Sequence, residues 1–301
     1  MNLGFSCLGA GILATTPAAY VSIEKAPQQS VIEISSLDQM PQEFSHYALV
    51  LVDLDETAFK TSTMLGSKAW RQYIKKASAK IDNSKNWHDI ISLGLAAHHP
   101  YKTVEPQTSQ CFKNLQAKGY VVAGFTARER TKWYDMDQAG VDAMTVQQLN
   151  QVEIDFNNKS LENTYFSLSQ DSEYYQGVFF ANKEDKGQYL DRLLSHTCCY
   201  PTEIVFIDDK ASHVHSVGKI AEKYGIPYKG YVYTATAQDP FNERIANIQL
   251  YHLFRTEGKT LLTDEEAKKI AQDDPNKSAD QYLKEALEIG KSTMMAPNPK
   301  L

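Results

Sequence analysis

Three apolar runs in this chain each stop abruptly at polar, chemistry-bearing residues. His46 to Val52 (HYALVLV) runs into Asp53-Leu54-Asp55-Glu56-Thr57, Tyr120 to Phe125 (YVVAGF) into Thr126-Ala127-Arg128, and Glu203 to Ile207 (EIVFI) into Asp208-Asp209. Near-continuous apolar runs with β-branched residues are the pattern of strands buried on both faces of a parallel sheet. In such a sheet the carboxyl ends of the strands share one edge, and ligands bind there at the point where the strand order reverses. The three clusters are therefore expected to meet in space although the sequence separates them.

The intervening sequence supplies helices for that sheet. Residues 64–98 read mostly helical, and Thr108 to Lys118 forms an apolar stripe with Gly119 as its stop. Lys186 to His196 places Tyr189, Leu190, Leu193 and Leu194 on one helical face, and Ala211 to Tyr224 does the same with Val214, Val217 and Ile220 before Gly225. Gly177–Ala181 and Tyr228–Tyr233 read as further strands. Strands alternating with helices predict an α/β fold, a Rossmann-like parallel sheet with right-handed crossovers. Residues 24–44 are polar and read as a leader into the domain. Residues 130–175 read as irregular, with room for a hairpin around Asn157-Asn158. The part from about 240 to 290 reads helical, with Thr263 and Glu266 as a capping box, and the final residues read as a frayed tail.

Length and charge narrow the function. The chain has 301 residues with 31 Lys+Arg against 37 Asp+Glu, a formal net charge of −6. That balance argues against broad nucleic-acid binding, which needs a basic face, but it does not argue against a local phosphate site. Asp53 and Asp55 are two apart, so in an extended segment they point to the same side. Two carboxylates there and two more at a neighbouring strand end are costly without a cation. Mg²⁺ suits them, being a hard ion held by carboxylates and water. A carboxylate beside such an ion can attack phosphorus, and the charge on the phosphoryl oxygens then needs donors and cations. Thr126 offers a hydroxyl and a backbone N–H. Lys186 offers an ammonium at a helix start, where anions are favoured. Lys183, three residues earlier, is the alternative lysine. Arg128 reads either as a substrate contact or as a surface residue. His98, His99, His213 and His215 read as surface or packing histidines, and Trp70, Trp87, Tyr101 and Trp133 as packing aromatics.

Asp53-Leu54-Asp55-Glu56-Thr57 after an apolar strand resembles the DxDxT motif of the haloacid dehalogenase (HAD) superfamily. Phe125-Thr126 is similar to its second motif, Lys186 to its third-motif lysine, and Ile207-Asp208-Asp209 to its acidic fourth motif. The DLDET run resembles secreted class C acid phosphatases, with Ala127 where those enzymes usually carry Asn. The TAR and FIDDK versions resemble a related group of uncharacterised proteins from intracellular bacteria. The resemblance implies a Mg²⁺-dependent phosphatase acting on a small phosphate ester through an aspartyl-phosphate. Asp53 would be the nucleophile and a metal ligand, and Asp55 the acid and then the base, with its backbone carbonyl on the metal. Thr126 and Lys186 would hold the phosphoryl group. Asp208 would bind the metal directly, and Asp209 would do so through water or orient Lys186. Thr57 would steady the loop.

On this reading residues 24–63 and 105–235 form the core, 64–104 a helical cap and 236–301 a helical C-terminal extension. Roughly sixty residues separate the first two motifs, where a minimal crossover needs about a dozen, and HAD enzymes often place a substrate-selecting cap there. Residues 1–23 are uncharged and rich in small and apolar residues, which reads as a secretory signal without its basic n-region or as a loosely packed terminus. A periplasmic or secreted location is expected, with the cytoplasm as the alternative, and no stable membrane span. The four cysteines, Cys7, Cys111, Cys198 and Cys199, give no disulfide framework or zinc spacing. The competing expectation is a catalytically silent binding or effector protein on the same scaffold.

Overall fold

The computed structural model describes residues 28–41, 43–84, 86–98, 100–130, 140–157, 173–197 and 200–295. The proposed signal segment, the Asn157-Asn158 turn, His99, Trp133 and the Cys198-Cys199 pair lie outside the described residues, wholly or in part.

The expected α/β architecture is present. The strands are β1 (Gln29–Ile34), β2 (Leu49–Val52), β3 (Phe59–Thr61), β4 (Tyr101–Thr103), β5 (Val121–Thr126), β6 (Tyr174–Tyr175), β7 (Val178–Phe180), β8 (Ile204–Asp208) and β9 (Tyr228–Tyr233). The helices are α1 (Lys68–Ile81), α2 (Trp87–His98), α3 (Thr108–Ala117), α4 (Val141–Gln151), α5 (Lys186–Ser195), α6 (Ala211–Lys223), α7 (Glu243–Arg255), α8 (Asp264–Asp273) and α9 (Ala279–Met295). Seven strands form one sheet in the order β1-β9-β8-β2-β5-β7-β6. Every pairing is parallel except β6 with β7.

From β2 the chain builds outward through β5 and β7, then returns to the other side of β2 for β8 and β9. The order thus reverses at β2, which carries Asp53 at its carboxyl end.

The period of two along β2 divides the core. Val50 and Val52 pack with Phe112 and Leu115 of α3 and Leu149 of α4 on one face. Leu49 and Leu51 pack with Tyr189, Leu190 and Leu194 of α5 and Val214 and Val217 of α6 on the other. Both faces are covered, which explains why β2, β5 and β8 are wholly buried, and apolar up to the Thr126 and Asp208 that close β5 and β8.

Several elements differ from the sequence expectation. The polar leader contains β1, an edge strand in register with β9 from Gln29↔Tyr228 to Ile34↔Tyr233. It holds Val31, Ile32 and Ile34, but its side chains are largely exposed, and so short a run does not stand out from the polar leader. The irregular 130–175 segment holds α4, whose polar composition (VDAMTVQQLNQ) hides a helix anchored by buried Val141, Thr145, Gln148 and Leu149. The C-terminal helix runs to Met295 rather than fraying before it. Cys111 of α3 is partly buried at the margin of the core. The capping box at Thr263 and Glu266 is present.

The cap segment leaves and re-enters the core through the antiparallel ladder of β3 with β4, in which Phe59 faces Thr103 and Thr61 faces Tyr101. The cap does not stand by itself. Trp70, Ile74, Trp87, Ile91 and Leu95 share one apolar cluster with Ile245, Ile248, Leu250, Leu283 and Leu287. Cap and C-terminal extension, read as separate regions in the sequence, share a single helical core. Among the described residues no helix is long and apolar enough to cross a membrane.

Candidate active site

The sheet edge gathers the three clusters as expected. Asp53 follows β2 and is buried, Thr126 closes β5 at 1% exposure, and Asp208 closes β8 with none. Oxygen atoms of Asp53, Asp208 and Asp209 lie within 4.8 Å of one another. Lys186, the first residue of α5, is fully buried and bridges two of them. Its Nζ lies 2.5 Å from Asp53 Oδ1 and 2.7 Å from Asp208 Oδ2.

Local structure explains how a lysine reaches this position. Asp185 caps α5 by accepting from the backbone N–H groups of Gly187 and Gln188. Gly187 then lets the first turn of α5 lie against α6. A Cβ there would come within 2.3 Å of Ser216 Oγ, which instead accepts from Gly187 N at 2.8 Å. The Lys186 ammonium also lies 5.3 Å from the ring centres of Phe125 and Phe206, so its stem crosses an apolar layer before meeting the carboxylates. Lys183 is excluded from this role. Its side chain is 74% exposed and pairs with Glu129 at 2.7 Å.

Burial first, and then the neighbouring Asp208 carboxylate, push the Asp53 carboxyl up to about 8 against the pull of Lys186. For Asp208, burial also raises, but the Lys186 charge and the hydrogen bond with His213 outweigh it and hold it down at about 2. His213 Nδ1 lies 3.0 Å from Asp208 Oδ2. That histidine was expected at the surface or in packing. Its place at the first turn of α6, five residues after Asp208, brings it to the site. The Lys210 backbone N–H fixes the other Asp208 oxygen at 2.8 Å, and Thr57 Oγ1 reaches Asp53 Oδ2 at 3.4 Å.

The three clustered side chains supply only hard carboxylate oxygens, the donor type that Mg²⁺ prefers, and two of the carboxylates are buried. The residues present therefore fit a divalent cation. The Asp55 carboxylate stands outside this cluster. Arg128 takes it in a two-pronged pair, Nε to Oδ2 at 2.9 Å and Nη2 to Oδ1 at 2.8 Å. Burial would raise the Asp55 carboxyl, but the Arg128 guanidinium outweighs it and holds the group well below the usual carboxylate range.

Arg128 is thus neither a surface residue nor a free substrate contact. Its Nη1 donates to Thr145 Oγ1 at 2.9 Å and to Gln148 Oε1 at 2.6 Å. Both acceptors lie on α4, which sequence reasoning missed, so Arg128 could not be assigned from sequence.

Two further contacts tie the site to the cap. Glu56 adopts a positive φ of 67°, rare for a residue with a side chain. That turn aims it at α1, where it pairs with Arg71 at 2.9 Å and accepts from Lys68 N at 3.1 Å. Lys68 Nζ pairs with Asp209 Oδ2 at 2.6 Å. The only sequence signal for these pairs is i,i+3 spacing of the two cations on one helix face.

Fold and site together define a doubly covered α/β protein with a carboxylate–lysine centre at the switch point of its sheet. The chain belongs to the family described as "Protein of unknown function (DUF2608)", whose model matches residues 30–268. It is 25% identical over 259 residues to a Chlamydia pneumoniae protein named "Putative outer membrane protein", covering 82% of this chain and 90% of that one. A Chlamydia trachomatis protein of the same name is 23% identical over 237 residues, covering 75% and 85%. A third, from Chlamydia muridarum, is 24% identical over 249 residues, covering 79% and 89%. No solved structure matches the chain significantly.

Proposed function

We propose that the chain is a Mg²⁺-dependent phosphomonoester hydrolase that works through an aspartyl-phosphate on Asp53. The observation that carries this reading is the bridge of Lys186 between Asp53 and Asp208, with Asp209 in the same cluster.

In this reading an Asp53 oxygen attacks phosphorus and the ester oxygen leaves. Lys186 and the Thr126 hydroxyl hold the phosphoryl oxygens in line, which lowers the barrier by positioning and charge. Asp55 gives a proton to the leaving oxygen, then takes one from the water that cleaves the acyl-phosphate and frees Asp53. Asp53, Asp208 and Asp209, with the Asp55 carbonyl, would hold Mg²⁺. Bound there, the ion offsets carboxylate repulsion and stabilises charge on the transferring group. His213 and Lys210 N keep the Asp208 carboxylate oriented.

The second reading, a catalytically silent binding protein, draws on the Arg128 clamp. A carboxylate held ionised by two guanidinium hydrogen bonds donates a proton poorly. The test uses the purified chain with an aryl phosphate. Phosphate release is expected with Mg²⁺, and its loss with EDTA or in Asp53→Asn. Activity that survives Asp53→Asn overturns the mechanism, and no turnover of any ester despite Mg²⁺ binding selects the silent reading. The outer-membrane names of the relatives support a periplasmic or secreted location, which cell fractionation checks.

A further inference from the structure

A cleft of about 700 Å³ opens between the α1–α2 pair and the carboxyl edge of the sheet, with Asp55 and Arg128 in its wall. The usual range for small-molecule sites is ~300–1,000 Å³, so the cleft has room for far more than one phosphate.

The charges lining it are unequally matched. Two of its three carboxylates have a cation: Asp55 has Arg128 and Glu129 has Lys183, while Asp89 lies 2.6 Å from His88 Nδ1. Lys75 on α1 and Lys210 at the start of α6 also line the cleft; neither is in a close ion pair among the described residues, and the Lys210 charge adds to that of Arg128 in holding the Asp55 carboxyl down. They stand on opposite walls, one on the cap and one on the sheet edge, and both are exposed to solvent.

Two buried polar atoms of residues that line the cleft lack partners. Trp70 is fully buried, and its Nε1 meets no acceptor among the described residues. Ser92 Oγ on α2 is likewise buried and unpaired. Both residues line the cleft. Buried polar groups are nearly always hydrogen-bonded, and an indole N–H can only donate. Two solvent-exposed ammonium groups outside close ion pairs, with an unused donor beside them, call for an acceptor-rich anion.

We propose that this cleft binds a phosphate ester carrying a second anionic group, with Lys75 and Lys210 as its counter-cations and Trp70 Nε1 and Ser92 Oγ as neutral donors. The proposal rests on the phosphatase reading above and narrows its substrate class. The second anion is a phosphate or a carboxylate, which share the chemistry that these donors recognise.

Binding of butyl phosphate, butanediol bisphosphate and phosphooxybutanoate to Asp53→Asn in the presence of Mg²⁺ tests it. By the usual worth of charge-assisted hydrogen bonds, at least one doubly anionic ester should bind about tenfold more tightly than butyl phosphate. Lys75→Met and Lys210→Met should each shrink that ratio, and Trp70→Phe, which keeps the ring and removes the donor, should reduce it too. The ratio of kcat/KM on the same three esters in the unsubstituted protein measures the preference independently. A bisphosphate preference alone assigns the subsite to phosphate, and an equal preference for phosphooxybutanoate assigns it to any small anion. Equal affinity for all three esters, or a preference that survives both lysine substitutions, overturns the proposal and leaves the phosphatase reading standing. No binding and no turnover of any ester overturns both.

Discussion

Arg128 holds Asp55 by two parallel hydrogen bonds and, with its remaining nitrogen, reaches across to Thr145 and Gln148 of α4. One side chain thereby fixes the proposed acid–base and docks a helix against the sheet edge. Arg128→Ala frees Asp55 and strips two buried side chains of their donor. Because the Asp55 side chain is 37% exposed, solvent screening reduces the loss below that of a fully buried pair, to about 1–3 kcal/mol. Urea unfolding measures it. Arg128→Lys should recover little, since an ammonium cannot reproduce the fork.

Lys186 and Lys183 should behave oppositely. Lys186→Met leaves Asp53 and Asp208 facing each other without their bridging cation. Phosphate release should fall by at least about a hundredfold, the scale for losing a positioned electrostatic donor. Added Mg²⁺ should raise the melting temperature of Lys186→Met more than that of the parent. Lys183→Met breaks only an exposed pair with Glu129, so the melting temperature should match the parent.

Metal binding should be linked to protons. With its carboxyl raised to about 8 from 3.8, Asp53 keeps a proton in the folded, metal-free protein that the unfolded chain has lost. The sign follows from linkage: this contribution to stability is full below pH 3.8 and is lost as pH rises toward about 8. In EDTA the melting temperature should therefore drift down across that window. Mg²⁺ should displace the proton there, with the release fading above pH 8. Calorimetry in buffers of differing ionisation heat counts the protons, and release independent of pH would exclude the raised carboxyl.

The helical core shared by cap and C-terminal extension predicts long-range damage. Leu283 of α9 is fully buried among residues of both regions. Leu283→Ala should cost about 2–5 kcal/mol. It should also speed proteolysis of the α1–α2 pair, although the substitution lies some two hundred residues away in sequence. Unchanged protection of α1–α2 would show that the cap holds itself together.

The central strands of the sheet, and the edge at which they end in polar residues, can be read from the sequence alone. Buried strands need continuous apolar runs, and the residues that end them must then fall at one edge, so Asp53, Asp55, Thr126 and Asp208 were legible without coordinates. Turn and cap chemistry is equally local, which is why Gly119, Gly225 and the Thr263 capping box read correctly. The packed structure fixes Lys186 in the site and leaves Lys183 outside it. The helix start favours Lys186 over Lys183 in sequence, but the cap at Asp185 and the close approach at Gly187 are what bury it. Tertiary structure also decided that Arg128 belongs to Asp55, that His213 serves Asp208, and that α1 is latched by Glu56 and Asp209. These are contacts between side chains brought together by packing, and the only trace of them along the chain is the i,i+3 spacing of Lys68 and Arg71. The edge strand β1 and the polar helix α4 escaped for a related reason: their stability comes from backbone pairing and a few buried contacts rather than from an apolar pattern of their own.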